Sequence, residues 1–365
     1  MMASSNVSVE IAGRHVNGVW DKAVHQPCCR LCGGSLVEPL YHRETGAEFA
    51  VRLTVGSPIP TTGYTIVRCL ACGLGFAFPQ SLQPDAHADE LYTDEYYKSQ
   101  MLSGRMDDWI SKKQLPPPQR QFDSCVHQDE KLLKRLQSIL TGVKAPNSEQ
   151  RPIRYLDVGC GSCESLWAAR KLGWSGVGTD IAKPAIEFGR SALALDIREG
   201  LLGEIDFPES SFDIVTLREV LEHSPEPSEL LQDIHRILSR SGVLYVQVPN
   251  DLEGYRARIF SRAWHLIPPV HLQYFTLQSL TTLLVMNGFA ICSCGTIGSI
   301  GREVLRYAWW RLGLLGVVDR TYYRPGLGLA VRAMSRATYE ILRPLDRYLD
   351  ARLMGSTLWI CVRKL

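Results

Sequence analysis

The segment Arg218-Glu219-Val220-Leu221-Glu222-His223 sets two carboxylates and an imidazole close together. In a helical turn Glu219, Glu222 and His223 stand at i, i+3 and i+4 and share one face. Such a group can hold a hard divalent cation while leaving coordination sites open for substrate hydroxyls. The apolar run 214–217 just before it reads as a strand, and open parallel sheets bind their ligands beyond strand carboxyl ends. The plainer reading, in which Glu222 and His223 only cap and orient a loop, stays open beside it.

Thiols form the second chemical set. Cys29 and Cys32, followed by Gly33-Gly34, and Cys69 and Cys72, followed by Gly73, have the spacing of the two knuckles of a zinc ribbon. Each tight turn aims two thiolates at one tetrahedral ion and a glycine relieves the turn. Four thiolates close the site, so this zinc is expected to be structural. Cys28 offers a competing register, but Cys29/Cys32 has the standard spacing. Neither pair opens a helix of a thioredoxin-like unit, which argues against a redox disulfide. The knuckles lie far apart, so an elaborated hairpin must join them, with strands expected at 49–54 and 64–67.

The element that must position the carboxylates is an α/β unit around Ile153-Arg154-Tyr155-Leu156-Asp157-Val158-Gly159-Cys160-Gly161. A strand-length apolar run enters an acidic residue and two alternate glycines, and 162–172 then reads as a helix. Glycines let the backbone approach a ligand closely, and a helix start presents unpaired N–H groups. The next strand, 175–179, delivers Asp180, which can accept both hydroxyls of an adenosine ribose. Glu164 stands where a dinucleotide fingerprint wants its third glycine, and it would repel a pyrophosphate. No Gly-Lys-Ser/Thr follows, so a P-loop is excluded. An acidic strand end suits a nucleoside with a cationic amino group, which S-adenosylmethionine has and NAD lacks.

Asp157-Val158-Gly159-Cys160-Gly161 with Asp180 resembles the Asp-x-Gly-x-Gly motif of the class I S-adenosylmethionine-dependent methyltransferases, over 152–295 plus the C-terminus. The resemblance implies an α/β fold with a Rossmann-like seven-stranded sheet whose last strand, 357–362, is antiparallel. It places the adenine beside Gly200-Leu201. The cofactor set becomes Asp157, Gly159, Gly161, Asp180, Leu201 and Leu217, while Cys163 stands where the family often has another glycine. The Glu-x-x-Glu-His pattern is similar to that of ubiquinone-biosynthesis O-methyltransferases and small-RNA 2′-O-methyltransferases, where it binds a divalent metal that positions the accepting oxygens. A second histidine completes the RNA enzymes' site. His271 is the candidate for that place, ahead of His265, giving Glu219, Glu222, His223 and His271 as ligands for Mg2+ or a similar ion. Metal-free catalysis by His223 or His271 as general base, with Glu222 alongside, is the competing reading. Zinc-ribbon sugar C-methyltransferases also resemble this arrangement and use a Glu-His pair to handle a proton beside a keto group.

The ribbon followed by Phe76-Ala77-Phe78-Pro79 and Leu91-Tyr92-Thr93-Asp94-Glu95-Tyr96-Tyr97 resembles a bacterial methyltransferase subgroup with an N-terminal zinc ribbon. Its members are thought to act on sugars, surface-polysaccharide precursors or secondary metabolites. The organisation expected is a zinc ribbon at 1–85, a helical linker or lid at 86–151, the methyltransferase domain at 152–298 plus 355–365, and a helical insertion at 299–354 before the last strand. Within the linker, Val126, Leu132, Leu133, Leu136 and Leu140 recur at helical spacing, after a rigid stretch at Pro116-Pro117-Pro118. Further helices are expected at 184–195 and 228–238, and strands near 197 and at 243–248 and 289–294, with Cys292, Cys294 and Cys361 in the core.

A chain of 365 residues has room for roughly two to three domains. The 40 basic and 38 acidic residues leave a net charge of +2, which offers no electrostatic footprint for nucleic acid and disfavours an RNA-modifying role. No signal-peptide core occurs at 1–16, and no long uncharged apolar run occurs elsewhere, so a cytoplasmic protein is expected. Its 11 cysteines are then better explained by metal than by disulfides. Trp309, Trp310 and the arginines of 299–320 suit either contact with the inner face of a membrane or a helical cap or homodimer surface. The expected activity is O-methylation of a hydroxyl on a sugar, glycan precursor or other small metabolite, with Trp264, Tyr274 and Phe275 as acceptor walls. C-methylation of a nucleotide-linked keto sugar and a catalytically silent scaffold are the alternatives.

Overall fold

The computed structural model describes residues 7–11, 14–18, 28–42, 65–78, 120–142, 151–255, 257, 271–298, 300, 304–305, 308 and 327–365. Strands β1 (Val7–Ile11) and β2 (Arg14–Gly18) pair antiparallel by themselves. Strand β3 (Val37–His42) follows the first cysteine knuckle, β4 (Thr65–Cys69) leads into the second and β5 (Gly75–Phe78) leaves it, and the three form an antiparallel sheet. Phe76, Ala77 and Phe78 thus lie in a buried strand. The strand expected at 49–54, the segment 91–97 and the triple proline lie outside the described residues.

Helix α1 (Arg120–Thr141) follows the expected periodicity, burying Phe122, Val126, Leu133, Leu136 and Leu140. Each such side chain contributes about 1.5–3 kcal/mol of burial. Then β6 (Arg154–Val158), α2 (Glu164–Lys171), β7 (Ser175–Asp180), α3 (Lys183–Glu187), β8 (Asp196–Glu199) and β9 (Phe212–Arg218) alternate as the sequence pattern requires. Helix α4 (Pro227–Ile237), β10 (Leu238–Pro249), the two-residue β11 (Gln273–Tyr274), α5 (Leu277–Met286), β12 (Phe289–Ile297), α6 (Leu327–Ala351) and β13 (Thr357–Lys364) complete the described elements.

The main sheet has seven strands in the order β12-β13-β10-β9-β6-β7-β8. Strands β6 to β10 run parallel, and β13 is antiparallel to both neighbours. This is the Rossmann-like methyltransferase arrangement, with its strand carboxyl ends on one edge where the loops 159–163, 180–182, 200–204 and 219–224 collect. Helix α2 starts at Glu164 rather than at residue 162, because Cys163 is left-handed at φ 66°. The helix expected at 184–195 is α for Lys183–Glu187 and then widens over Phe188–Ala192. Cys361 is in the core as expected, but Cys292 and Cys294 are exposed, since β12 is an edge strand with a register break between Ile291 and Ser293. Of the insertion, α6 is helical, and most of 299–326 lies outside the described residues. No helix among the described residues is long and apolar enough to cross a membrane.

The ribbon sheet does not end with the ribbon. Its order is β11-β5-β4-β3, so a strand from the main domain forms its edge. One apolar cluster runs without a break from Leu31, Val67 and Phe76 of the ribbon to Leu217, Leu221 and Phe275 of the main domain.

Candidate active site and zinc centre

At the end of β6, Asp157 is buried and accepts a 2.6 Å hydrogen bond from Thr216 Oγ1. Burial pushes its carboxyl up to about 6, against the opposing pull of Arg218 and Thr216. The loop then folds over the end of β7, with Gly159 and Cys160 donating their N–H groups to the Thr179 carbonyl. Gly159 has φ +68°, and a Cβ there would meet Val220 Cγ2 at 2.4 Å, so only glycine lets β6 and the 220 loop close up. Asp180 accepts from Gly161 N–H and from Ala182 N–H, each at 2.8 Å. It therefore ties the end of the glycine loop to the turn after β7. Burial raises its carboxyl, partly offset by those backbone donors. Leu201 is exposed after β8 and stands at the rim. Leu217 has its side chain fully buried in the core, so a cofactor contact from it would come from the backbone.

Beneath this cradle lies a buried ionic cluster that the sequence did not reveal. Arg218, at the end of β9, pairs with both oxygens of Asp129 from α1, at 2.9 and 3.1 Å, and reaches Ser165 Oγ at the start of α2. Burial opposes the Arg218 charge, but Asp129 and Asp157 hold it firmly protonated. Asp129 sits on the stripe of α1 that buries Phe122 and Val126, and its polar type among apolar neighbours was the available signal.

Past β9 the chain does not form the expected helical face. Glu219 is left-handed at φ 53°, and a single tight turn, Leu221–His223, follows. Glu222, His223 and His271 come together with candidate ligand atoms all within 4.8 Å, and Glu219 is outside that group. Glu219 is instead exposed, accepting from Gln247 Nε2 at 3.1 Å. The His223 and His271 rings meet edge to face with centroids 4.9 Å apart. Glu222 is 1% exposed, and neither carboxylate oxygen accepts a hydrogen bond among the described residues; its one side-chain neighbour in hydrogen-bond reach is the Glu219 carboxylate, to which only a protonated Glu222 could donate. Its Oε1 lies 3.8 Å from His223 Nε2. Burial drives its carboxyl well above the usual range, and the negative charges of Glu219 and Asp251 push the same way. Asp251, beyond the end of β10 and absent from the sequence-based set, places Oδ2 3.8 Å from His271 Nδ1.

A buried carboxylate with orphaned oxygens beside two imidazoles is a donor set that suits a divalent cation. His265 and Trp264 lie outside the described residues. Tyr274 and Phe275 are buried packing residues rather than acceptor walls: Tyr274 donates its hydroxyl to the His271 carbonyl at 3.0 Å, and Phe275 belongs to the core.

The four ribbon thiols converge as expected, with Cys29–Cys72 and Cys32–Cys69 sulfurs each 3.5 Å apart. Thiolates on tetrahedral zinc at about 2.3 Å stand roughly 3.8 Å apart, so the geometry fits zinc. The two knuckles repeat one turn: Gly33 and Gly73, both left-handed, donate to Cys29 and Cys69 carbonyls at 2.8 and 2.9 Å.

Residues 127–293 match the family model described as Methyltransferase domain. This segment is a class I S-adenosylmethionine-dependent methyltransferase domain. The chain is 33% identical over 103 residues to a ubiquinone biosynthesis O-methyltransferase of Rhodopseudomonas palustris, covering 27% of this chain and 40% of that one. It is 26% identical over 153 residues to a probable S-adenosylmethionine-dependent methyltransferase of Mycobacterium tuberculosis, covering 41% and 53%. A demethylmenaquinone methyltransferase of Listeria monocytogenes is 27% identical over 138 residues, covering 34% and 57%. The chain thus spans about half the length of the curated relatives it matches. Among solved structures, a methyltransferase from Archaeoglobus fulgidus aligns at TM-score 0.41 and 18% identity over 66% of this chain and 94% of that one. Haemonchus contortus phosphoethanolamine N-methyltransferase 2 aligns at 0.45 and 15% over 80% and 62%. In the methyltransferase domain the cradle fits S-adenosylmethionine: Asp180 closes the glycine loop at a strand carboxyl end, and Gly159 leaves no room for a side chain.

Proposed function

We propose that this protein transfers methyl from S-adenosylmethionine to a hydroxyl of a sugar, glycan precursor or related small metabolite, assisted by a divalent cation at Glu222, His223 and His271. The observation that carries the reading is the orphaned, buried Glu222 carboxylate facing two imidazoles beside the cofactor cradle. The relative of Rhodopseudomonas palustris named as an O-methyltransferase supports the oxygen acceptor.

When bound, the cofactor supplies a methyl on a sulfonium, and the cation supplies Lewis acidity toward a hydroxyl. The chain does the rest. Asp180, Gly161 and Asp157 fix the nucleoside end, and the Arg218–Asp129 pair fixes the base of the cradle against α1. Glu222, His223 and His271 would hold the cation and so orient the acceptor, the methyl passing from sulfur to oxygen while the hydroxyl's proton leaves to solvent at the rim, where exposed Glu219 can receive a hydrogen bond from a second hydroxyl. Proximity of this kind is the main lever for a transfer whose electrophile is already activated.

A metal-free reading rests on the Asp251–His271 pair. A carboxylate beside Nδ1 favours an imidazole that takes a proton at its other nitrogen. Methyl transfer from labelled cofactor to a panel of hydroxylated acceptors, before and after chelation and with ribbon zinc monitored, separates the two. Turnover that survives with only ribbon zinc present removes the cation and leaves His271 as base. Absence of micromolar S-adenosylhomocysteine binding sinks both.

A further inference from the structure

Both zinc knuckles end on the loops that carry the candidate transfer residues. In the first knuckle, Arg30 lies between Cys29 and Cys32 and donates to the Pro225 carbonyl and to Glu226 Oε1, the latter at 2.9 Å. Pro225 closely follows His223. The second knuckle runs from Cys72 through Gly73 and Leu74 directly into β5, whose Phe76 and Gly75 pair with Gln273 and Tyr274 of β11. Ala77 N–H donates to the Leu272 carbonyl at 3.1 Å, and Leu272 N–H donates to the Glu222 carbonyl at 2.8 Å. A chain of backbone hydrogen bonds therefore runs from the ribbon through the residue next to His271 to Glu222.

The fit at this contact is close. A Cβ on Gly75 would stand 3.0 Å from both Leu252 Cδ1 and Tyr274 Cβ, and one on Gly73 would stand 3.2 Å from Thr276 Oγ1. Arg68 adds an ion pair to Glu253 at 3.5 Å. The loops bearing His223, Asp251 and His271 are thus all gripped from the ribbon side, whereas Asp180 and the glycine loop are held within the main sheet.

We infer that the four-cysteine ribbon is a positioning device for the transfer site: Arg30 sets His223, and the β5–β11 pairing sets His271 against Glu222. This rests on the reading of Glu222, His223 and His271 as the transfer residues, but its test does not need a metal there. The zinc gives each knuckle a rigid base, and the hydrogen bonds convert that rigidity into the spacing of the two rings. Partners that orient ligands from outside typically alter metal affinity or activity by about 10–100-fold when removed.

The test uses the full, zinc-loaded chain with 15N-labelled histidine, the His223 and His271 ring signals being assigned by H223N and H271N. Arg30→Ala removes one grip, and Ala77→Pro removes the other by deleting the N–H toward Leu272 and constraining β5 there, while all four cysteines remain. With one zinc per chain retained, both variants should shift the His223 and His271 ring signals. Mn2+ affinity at the site should fall about tenfold, and S-adenosylhomocysteine affinity should stay within about twofold of wild type. Arg30→Lys, which keeps a donor toward Pro225, should restore most of the Arg30→Ala change. If both variants keep their zinc and leave ring signals and Mn2+ affinity unchanged, the proposal is overturned. Wild type that binds no Mn2+ sinks the cation reading alone, and the ring signals still decide whether the ribbon positions the histidines.

Discussion

His223 and His271 come from separate loops, one after β9 and one before β11, yet their rings meet at 4.9 Å beside a Glu222 carboxylate that accepts no hydrogen bond among the described residues. An unpaired buried carboxylate destabilises a fold unless a proton or a cation compensates it. The folded pKa of Glu222 lies above its ordinary 4.5, so the folded state holds the extra proton. Metal-free stability should therefore fall as pH rises from about 4.5 toward neutrality. Glu222→Gln should flatten that slope and raise metal-free stability at pH 7 by about 1–3 kcal/mol, while weakening Mn2+ binding by about 100-fold or more. Denaturant titrations across pH, paired with calorimetry of Mn2+ binding, check both signs. A variant less stable than wild type under chelation would mean that Glu222 is structurally satisfied.

Asp180 joins the glycine loop to the turn after β7 through Gly161 and Ala182 N–H groups. Its loss removes bonds to a charged acceptor, worth about 1.5–3 kcal/mol each. Asp180→Ala should weaken S-adenosylhomocysteine binding by about 10–100-fold, and Asp180→Asn, which keeps one acceptor oxygen, should lose less. Calorimetric titration with circular dichroism as a fold control measures this. Equal affinity in all three proteins would remove Asp180 from the cofactor set.

The parallel core was legible because its signals are local. An apolar strand, Asp157, alternate glycines and Asp180 at the next strand end can be read without knowing what packs where. The ribbon knuckles were legible for the same reason, as spacing and glycine placement decide the turn. The transfer site was only half legible. Glu222 and His223 are neighbours in sequence, but the i, i+4 face failed because Glu219 adopts a left-handed conformation that no periodicity reports. Leu217 points into the core because strand alternation turns it away from the cradle. Asp251, Asp129 and the β5–β11 pairing are long-range facts, set by where loops meet after the sheet has formed.

Asp213 illustrates a structural charge at the opposite end of the strands. Arg151 spans both its oxygens at 2.7 and 2.8 Å, and Arg154 adds backbone and side-chain bonds. Burial would raise its carboxyl, but Arg151 and Arg154 outweigh that and hold it well below its ordinary 3.8. A depressed folded pKa gives stability that is present above 3.8 and lost as pH falls below it. Both arginines are more than a third exposed, which screens the pair. Asp213→Asn should then cost about 1–2 kcal/mol at pH 7, with the wild-type and variant curves converging at acid pH. A constant offset at every pH would assign the loss to packing rather than charge.

The four-cysteine sheet and the main domain share one apolar cluster and one sheet edge, so a zinc bound at the cysteines should stabilise more than that sheet. A separately folded knuckle pair would lose its metal and leave the methyltransferase transition in place. Without a bound zinc, Cys29 and Cys72 would be left as thiols that burial disfavours as thiolates, Cys29 being pushed up to about 11. Losing the ion also loosens Leu31, Val67 and Phe76 against Phe275 and Leu221. Elemental analysis should find one zinc per chain, and calorimetry should show a single transition for the loaded protein. Stripping the zinc, or Cys29→Ser with Cys72→Ser, should lower that transition by roughly 5–10 °C, equivalent to a few kcal/mol for a domain of this size. Two transitions in the loaded protein, with only the lower one responding to zinc, would show that the shared cluster does not couple the parts.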